Sequence, residues 1–300
     1  MKTYIGVDLG GTNVRVAKIS EDGTVLEQLK SPSYAQEGRE KVMENLIGLI
    51  HQIPDWQSCA GIGVGVPGPC NQETGSMSMS TNLPGFTGFP FVDTLQKEFG
   101  IPAFIDNDAN VAGLAEALLG AGKGLPVVYY VTLSTGIGGG LVVNGMTVSG
   151  KHGYAGEIAG IVVRRESPKY NHLAPGAVEN EASGTAVTRK ANERIPDMHF
   201  EHAGQVFELA EAGNETARQI VAEVVQDLGQ LFATLSDVLD PDMFVIGGGM
   251  MKSADKFMPQ VIEEFNKLVQ EPMRDVVFAK AELEEPGIIG AAMLPYSHGC

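Results

Sequence analysis

The sequence predicts an α/β fold of two domains, and three observations carry this prediction. The chain has 300 residues and 43% hydrophobic content, which suffices for one large or two medium domains. A pattern of strand, glycine-rich turn, strand, hairpin turn and strand occurs twice. Helical and short apolar strand patterns alternate around these two copies. We therefore predict an N-terminal domain at residues 1–118 and a C-terminal domain at 119–300, with the last helix packing back on the first domain.

The repeated strand pattern opens each predicted domain. Its two copies are "YIGVDLGGTNVRVAKISEDGTVLE" and "VVYYVTLSTGIGGGLVVNGMTVSG". The hairpin turns are Asp22-Gly23 in the first copy and Asn144-Gly145 in the second. Such pairs are favoured in hairpins because their central residues tolerate positive φ. Each copy therefore predicts the opening β-meander of an α/β domain.

The remaining elements follow from local signals. Apolar spacing predicts a helix from Glu40 to Ile53, one in "DTLQKEFG" that ends at Gly100, and one from Asn110 to Leu119. The segments "AGIGVGVPG" and "IPAFIDNDAN" predict short strands. In the second half Asn214 is expected to cap a long helix, and "DMFVIGGGM" predicts a strand that runs into a turn. A small-residue helix is predicted from Gly287 to Leu294.

Composition excludes several classes of function. The formal net charge of −16 repels polyanions, so we expect neither nucleic acid nor an anionic membrane as a partner. Cys59, Cys70 and Cys300 lack CxxC spacing, which argues against a disulfide framework and a cysteine zinc site. The first strand leaves no room for a signal peptide, and no run approaches the ~20 apolar residues of a membrane span. We therefore expect a cytoplasmic protein.

The glycine-rich turns of the two meanders have two interpretations. An isolated pair such as Gly10-Gly11 is most often a tight hairpin. Successive glycine amides can instead bind phosphate oxygens, and Asp8 can hold a hydrated Mg²⁺. The second turn, "LSTGIGGG", has the same chemistry in its hydroxyls and backbone donors: Ser134, Thr135, Gly136, Gly138 and Gly139. Two such turns favour phosphate binding, although neither matches a P-loop or a dinucleotide motif.

A third turn and one strand end complete the candidate site. "VIGGGMM" is either a helix start packed close to a strand or a flat wall for a purine and ribose. "IDNDAN" places Asp106, Asn107, Asp108 and Asn110 together after a strand. Asp108 is then either the N-cap of the next helix or the carboxylate that deprotonates an attacking hydroxyl. For the second role an ordinary Asp pKa would be adequate.

These motifs resemble those of the ROK family of bacterial sugar kinases and repressors. They are, in order, "DLGGTNVR", "NLPG", "IDNDAN", "LSTGIGGGLVVNG", "GYAGEIAG", "EASG" and "VIGGGM". The resemblance implies the actin/hexokinase-like (ribonuclease H-like) fold, two domains closing over a hexose and Mg²⁺-ATP. It implies that Asp108 is the catalytic base and that sugar ligands are Asn82, Asn107, Glu157 and Glu179. It implies that the phosphate and adenosine loops contain Asp8, Gly10, Gly11, Thr12, Thr135, Gly136, Gly138, Gly139, Gly247, Gly248 and Gly249.

The sequence departs from the family pattern at its zinc-binding stretch. The usual Gly-Glu-Ile-Gly-His is here Gly156 to Gly160, so the final His is absent. The Cys-rich stretch is here "YNHLAPGAVE", with Ala177 where the last Cys belongs. His172 alone cannot replace three thiolates and an imidazole. We therefore expect no zinc site.

The resemblance implies an ATP-dependent hexose kinase, acting on the 6-hydroxyl of glucose or a related sugar. An alternative is a sugar-binding or regulatory protein that has kept the fold and lost turnover. The repressors of the family carry a helix-turn-helix domain before the first phosphate loop, where this chain begins, so we do not expect a DNA-binding regulator. A homodimer is expected because it is common in the family.

Overall fold

The computed structural model describes residues 1–80 and 82–300, in two compact units. Unit 1 consists of Met1–Tyr130, Gly140–Gly156 and Ala281–Cys300. Unit 2 consists of Val131–Gly139 and Glu157–Lys280. This division differs from the predicted cut after residue 118, because the chain leaves and re-enters unit 1 within the second meander and returns to it at the C-terminus.

The secondary structure alternates strands and helices along the chain. The strands are β1 (Thr3–Leu9), β2 (Asn13–Ser20), β3 (Val25–Pro32), β4 (Ile62–Val66), β5 (Cys70–Asn71), β6 (Ser76–Met77), β7 (Ala103–Asn107), β8 (Val127–Leu133), β9 (Ile137–Val143), β10 (Met146–Thr147), β11 (Met243–Gly247) and β12 (Val277–Lys280). The α-helices are α1 (Arg39–Gln52), α2 (Phe91–Phe99), α3 (Asp108–Leu119), α4 (Val178–Ala182), α5 (Gly184–Arg194), α6 (Ala203–Glu211), α7 (Glu215–Leu239), α8 (Ala254–Leu268) and α9 (Pro286–Ser297).

Within the part of the chain that the structure describes, the strands form two five-stranded sheets and a small hairpin. The first sheet has the order β3-β2-β1-β4-β7, and the second has the order β10-β9-β8-β11-β12. In the first sheet β1, β2 and β3 are antiparallel neighbours, while β4 runs parallel to both β1 and β7. Both predicted meanders are therefore confirmed, and the mixed α/β fold class with them.

Local signals placed the ends of several helices correctly. The helix α2 ends at Phe99, and its C-cap Gly100 adopts φ 68° in the left-handed region. Such a C-terminal conformation favours glycine because it has no Cβ. The helix α7 starts after Asn214, whose side chain accepts a hydrogen bond from the Ala217 amide. Its apolar stripe is buried, including Ile220, Val224 and Leu228.

The helix α9 belongs to unit 1, and its backbone lies close to the backbones of β1, β4 and α3. A Cβ added at Gly63 would lie 1.8 Å from the Ala291 carbonyl oxygen, and one at Gly6 would lie 2.4 Å from the Ile288 carbonyl oxygen. Only glycine leaves room for such an approach. The helix α9 therefore covers β1 and β4, and it can lie this close to them only because positions 6 and 63 are glycine.

The C-terminal end of α3 is held by a buried carboxylate. Glu116 is fully buried, and its side chain accepts hydrogen bonds from the backbone amides of Glu282, Leu283 and Ala121 at 2.9–3.0 Å. Buried polar groups of this kind are stable only when they are hydrogen-bonded. Glu116 thereby fixes the segment that enters α9.

Among the described residues, no helix combines the length and apolar character needed to cross a lipid bilayer.

The close approach of α9 generates a first prediction. Gly63→Ala should lower the free energy of unfolding by about 2–3 kcal/mol, because the added methyl group overlaps the Ala291 carbonyl and forces a backbone shift. Urea denaturation measures the change. The matched control is Gly48→Ala in α1, where an added Cβ meets no atom within 4 Å. It should raise stability by about 0.5–1 kcal/mol, because alanine is the better helix former. Equal effects of the two substitutions would contradict the packing argument.

Candidate functional site

The polar residues predicted in unit 1 meet at one edge of the first sheet. Since β1, β4 and β7 are parallel, their carboxyl ends lie at the same edge. The register places Asp8 beside Gly65 and Gly65 beside Asp106. The first glycine-rich turn closes at this edge, where the Gly10 amide donates to the Asn13 carbonyl at 2.9 Å. In open α/β sheets, ligands bind at this end of the strands.

The junction between β7 and α3 separates the roles of two neighbouring residues. Asn107 has extended backbone dihedrals and caps α3, its side-chain oxygen accepting from the Ala109 amide at 2.8 Å and from the Asn110 amide at 3.4 Å. Asp108 is the first residue of the helix, and its carboxylate accepts from the Ala109 amide at 2.8 Å. The interpretation of Asp108 as the N-cap is therefore wrong, because Asn107 occupies that position.

Asp108 is exposed to solvent, although many protein atoms lie around its carboxylate. This burial raises the pKa of Asp108 to about 6, the hydrogen bond from the Ala109 amide opposes the rise, and the charge of Asp8 adds to it. An ordinary Asp pKa would be adequate for a general base, and the folded chain raises the pKa of Asp108 above that value. A carboxylate with this pKa is mostly ionised at pH 7 and is a better proton acceptor than an ordinary Asp.

Asp106 belongs to the same sequence cluster but has a different environment. It is fully buried and accepts hydrogen bonds from five groups. The donors are the Asn107 amide (2.7 Å), the Asn110 side-chain amide (2.8 Å), Gln72 Nε2 (2.6 Å), Thr147 Oγ1 (2.7 Å) and Ser149 Oγ (3.2 Å). Burial raises the pKa of Asp106, and the hydrogen bonds oppose this rise. Three of the donors are N–H groups that cannot accept, an arrangement suited to an ionised carboxylate.

Asp8 is held by an ion pair. Arg15, its cross-strand neighbour in β2, donates from Nε to Asp8 Oδ2 at 3.0 Å and pairs with the same oxygen through a terminal nitrogen. Arg15 also pairs with Glu285 at 2.5 Å, just before α9 begins. The carboxylate of Asp8 is therefore oriented by β2 and by the segment that leads into α9.

The predicted sugar-site loop touches the first turn. A Cβ added at Gly11 would lie 3.1 Å from the Asn82 carbonyl oxygen, so the backbone of Asn82 lies against Gly11. The side chains of Asn82 and Thr12 are exposed. In unit 1 the charge of Asp8 thus acts on Asp108, and the backbone of Asn82 lies against Gly11.

The second glycine-rich turn lies in unit 2. It spans Ser134 to Gly136, and the Ser134 amide donates to the Gly136 carbonyl at 2.9 Å. Gly138 and Gly139 are not part of this turn but residues of β9. The Glu179 carboxylate accepts from the Ile137 amide at 3.1 Å. A Cβ at Gly136 would lie 2.6 Å from Glu179 Oε2, so this glycine admits the carboxylate.

The third glycine turn follows β11, also in unit 2. Gly247 ends the strand, and Gly248 adopts φ 94°, where an added Cβ would lie 2.3 Å from the Leu133 carbonyl oxygen. The close-packing interpretation of this turn is thus correct for Gly248. A cavity of about 640 Å³ lies beside Gly249 and is also lined by Thr135. Its size is in the range of small-molecule sites.

Sequence reasoning missed several residues that line this cavity. They are Thr185, Thr188, Glu201, His202, Lys252 and Ser253. Thr185 and Thr188 follow the "EASG" motif and are three residues apart on α5, which places both hydroxyls on one face. The spacing of these two threonines could have predicted that both line one site. Glu201 and His202 lie before α6 and carry no local pattern that marks them.

Comparison with known proteins identifies the family. The sequence profile of the ROK family matches residues 4–297. The chain belongs to the ROK family.

Individual relatives are similar to this ROK protein in sequence or in structure. It is 31% identical to the glucokinase of Thermotoga maritima, over 97% of this chain and 96% of that protein. Its structure is similar to a ROK hexokinase from Thermus thermophilus, with a TM-score of 0.87, 30% identity and 99% and 98% of the two chains covered. It is also similar to a ROK glucokinase from Streptomyces griseus in complex with glucose and AMPPNP, with a TM-score of 0.75, 25% identity and 97% and 98% coverage. These likenesses support a sugar phosphotransferase with the two-domain actin/hexokinase-like fold.

The segment that corresponds to the ROK zinc stretch lies in unit 2. Glu157 is exposed at its start, followed by the buried Ile158, and His172 is exposed in the same loop. Within residues 1–80 and 82–300, no cluster of three or more His, Cys, Asp or Glu side chains is arranged to hold a metal ion. The absence of a zinc requirement stays a prediction.

The five donors around Asp106 generate the next prediction. Asp106→Ala should lower the free energy of unfolding by about 3–5 kcal/mol, because it leaves several buried donors without an acceptor. Chemical denaturation followed by circular dichroism measures the loss. Asp106→Asn, which keeps one acceptor oxygen, should lose less. A stable Asp106→Ala protein would show that water replaces the carboxylate at no cost.

Proposed function

We propose that this ROK protein is an ATP-dependent hexose kinase that phosphorylates the 6-hydroxyl of glucose or a closely related sugar. The observation that carries the proposal is the environment of Asp108. Its carboxylate is solvent-accessible at the carboxyl end of β7, is oriented by the first turn of α3 and has a pKa of about 6. It lies near Asp8 at the edge where the first glycine turn closes. A general base needs this combination of access, fixed orientation and tuned pKa.

The proposed reaction is an in-line transfer. The sugar hydroxyl oxygen forms a bond to the γ-phosphorus while the bond from that phosphorus to the β,γ-bridging oxygen breaks, and ADP leaves. The hydroxyl proton goes to the Asp108 carboxylate. Since the transition state is loose, positioning and charge stabilisation supply most of the rate enhancement. Asn107 caps α3 through its side-chain oxygen, which leaves its amide nitrogen as the proposed donor to a sugar hydroxyl.

The donor groups proposed for ATP come from three turns. Gly10, Gly11 and Thr12 would bind phosphate in unit 1, and the turn of Thr135 and Gly136 would do so in unit 2, with Gly138 and Gly139 following in β9. The cavity beside Gly249 would take the adenosine, with Gly247 and Gly248 forming the turn above it. Exposed backbone amides at such turns are typical phosphate ligands.

Magnesium fits the carboxylate at the end of β1. Asp8 offers a hard oxygen ligand next to the first turn, and a single carboxylate plus water is the usual protein contribution to an Mg²⁺-nucleotide site. When bound, the ion would neutralise charge on the transferring phosphoryl group. Asn82, Asn107, Glu157 and Glu179 are the proposed sugar ligands, and Glu179 also holds the second turn through the Ile137 amide.

A coupled ADP-release assay tests the proposal. Purified protein with Mg²⁺-ATP is assayed over hexoses, amino sugars and β-glucosides, each with and without a zinc-selective chelator. We expect the highest kcat/KM with glucose or a close relative, and full activity with the chelator. Sugar binding by calorimetry without turnover on any sugar would instead support the regulatory alternative. Activity lost on chelation would contradict the proposal that no zinc is required.

Asp108→Asn is the matched variant for that assay. It keeps the shape and the hydrogen bond at the start of α3 but cannot accept a proton. We expect kcat to fall by at least about 10²-fold with sugar binding largely retained. Because the pKa of Asp108 is raised in the folded state, the neutral Asn should also increase the melting temperature at pH 7. Near-normal turnover would remove Asp108 from the catalytic role.

The raised pKa also predicts a pH profile. Below about pH 6 Asp108 becomes protonated, so kcat/KM should fall by about tenfold per pH unit. Asp8→Asn removes a charge that raises this pKa, so its residual activity should keep its plateau to lower pH. The profile is measured over the range in which circular dichroism shows a folded protein. A flat profile down to pH 5 would disprove the assignment of the acid limb to Asp108.

A further inference from the structure

The loop formed by residues 157–177 connects two of the proposed sugar ligands in unit 2. It begins at Glu157 and leads into α4, which carries Glu179. Its two ends run side by side, since the Val178 amide donates to the Ile161 carbonyl at 2.8 Å and the Glu179 amide to the Ala159 carbonyl at 3.2 Å. A displacement of residues 159–164 is therefore transmitted directly to Glu179.

This pairing of the loop ends depends on one glycine. The amides of Val163 and Arg164 donate to the Gly176 carbonyl at 2.9 and 3.3 Å. Gly176 has φ 75°, and an added Cβ would lie 1.5 Å from the Arg164 carbonyl oxygen. Arg164 is thus fixed by its backbone at the point where its side chain leaves the loop.

The side chain of Arg164 enters a group of six charged residues that we name the ionic cluster. Its members are Arg164, Glu181, Lys190, Arg194, Glu223 and Asp227. Arg164 Nε lies 2.8 and 3.1 Å from the two carboxylate oxygens of Asp227. Lys190 Nζ lies 3.2 Å from both Glu181 and Glu223. Three bases therefore balance three acids.

The cluster is built on three helices of unit 2. Glu181 belongs to α4, Lys190 and Arg194 to α5, and Glu223 and Asp227 to α7. Glu181, Lys190 and Asp227 are nearly fully buried. Burial raises the pKa of Asp227 in spite of the bond from Arg164. Burial alone would raise the pKa of Glu223, but Arg194 and Lys190 stabilise its charged form and the pKa is lowered.

Three further contacts hold the loop to α4 and α5. Ser167 donates a hydrogen bond to Glu181, and Asn180 Nδ2 donates to Asn171 Oδ1 at 3.0 Å. The Arg189 guanidinium lies 3.4 Å from the centre of the Tyr170 ring. Arg164 nevertheless forms both of the ion pairs that the described residues show between this loop and α7, with Asp227 at 2.8 Å and with Glu223 at 4.0 Å. The loss of its charge would leave the buried Asp227 without its closest counter-ion, a costly state.

We propose that Arg164 is a positioning residue for the sugar acceptor: by binding Asp227 it anchors the 157–177 loop to α7 and so sets the placement of Glu157 and Glu179. The inference rests on the proposed function, in which these two carboxylates bind the sugar. Neither Arg164 nor Asp227 needs to touch the substrate for this role.

The experiment compares three variants in the kinase assay. Arg164→Met should raise the sugar KM at least about tenfold while kcat falls by less than about threefold, because ligands displaced by even 1 Å lose binding. Hydrogen exchange should speed up at the amides of Val163 and Val178. The control is Lys267→Met, which removes an exposed ion pair with Glu264 on α8 of the same unit. It should change neither the sugar KM nor the hydrogen exchange of the loop.

A double variant separates anchoring from stability. Arg164→Met with Asp227→Leu restores charge balance, so its melting temperature should recover, because a buried ion pair can be replaced by apolar groups without loss. The sugar KM should remain raised, since the loop is still detached from α7. Recovery of KM together with stability, or unchanged exchange in Arg164→Met, would overturn the inference. Absence of turnover in the unmodified protein would count against the proposed function instead, and the exchange result would still report on the anchor.

Discussion

A single buried carboxylate organises the candidate site in unit 1. Asp106 lies inside β7 and receives hydrogen bonds from the β5–β6 hairpin through Gln72, from β10 through Thr147, and from α3 through Asn110. In a region of low dielectric constant, an unpaired carboxylate or an unpaired donor would be expensive, so these segments are stable only when they meet at Asp106. The position of the β7–α3 junction, and of the two residues that follow, depends on this one group.

The same chemistry gives the two neighbouring aspartates opposite properties. Asp106 points into the protein at a strand position, where its hydrogen-bonding capacity is fully used. Asp108 lies two residues later, after the chain has turned into α3, and its carboxylate has one backbone donor and access to solvent. The chain turns into α3 at Asn107, which is the N-cap of the helix, so the carboxylate of Asp108 is not needed as the cap. Asp106 thus stabilises the junction, Asn107 caps the helix, and Asp108 remains available for chemistry.

The sequence predicted what depends on short-range signals. Strand patterns, the hairpin pairs and glycine at the end of α2 are properties of a few adjacent residues, and the structure confirms them. The partners of Asp106 could not be predicted, since Gln72 and Thr147 are 34 and 41 residues away in the chain. The raised pKa of Asp108 has the same origin, because burial and the charge of Asp8 arise only in the folded chain. The sequence alone did not decide whether Asp108 caps α3, because Asn and Asp are nearly equivalent N-cap residues.

The loop of unit 2 illustrates how a fold can hold a segment that its family pattern assigns to zinc. A zinc site with thiolate and imidazole ligands is compact, and its binding energy is folding energy. The ionic cluster draws its charges from the loop and from α4, α5 and α7, so the order of the loop is linked to the packing of three helices. Because buried ion pairs contribute little net stability, the apolar core of α7 must supply most of the stability. The charges then fix the geometry, since each is satisfied only when the loop lies in its place.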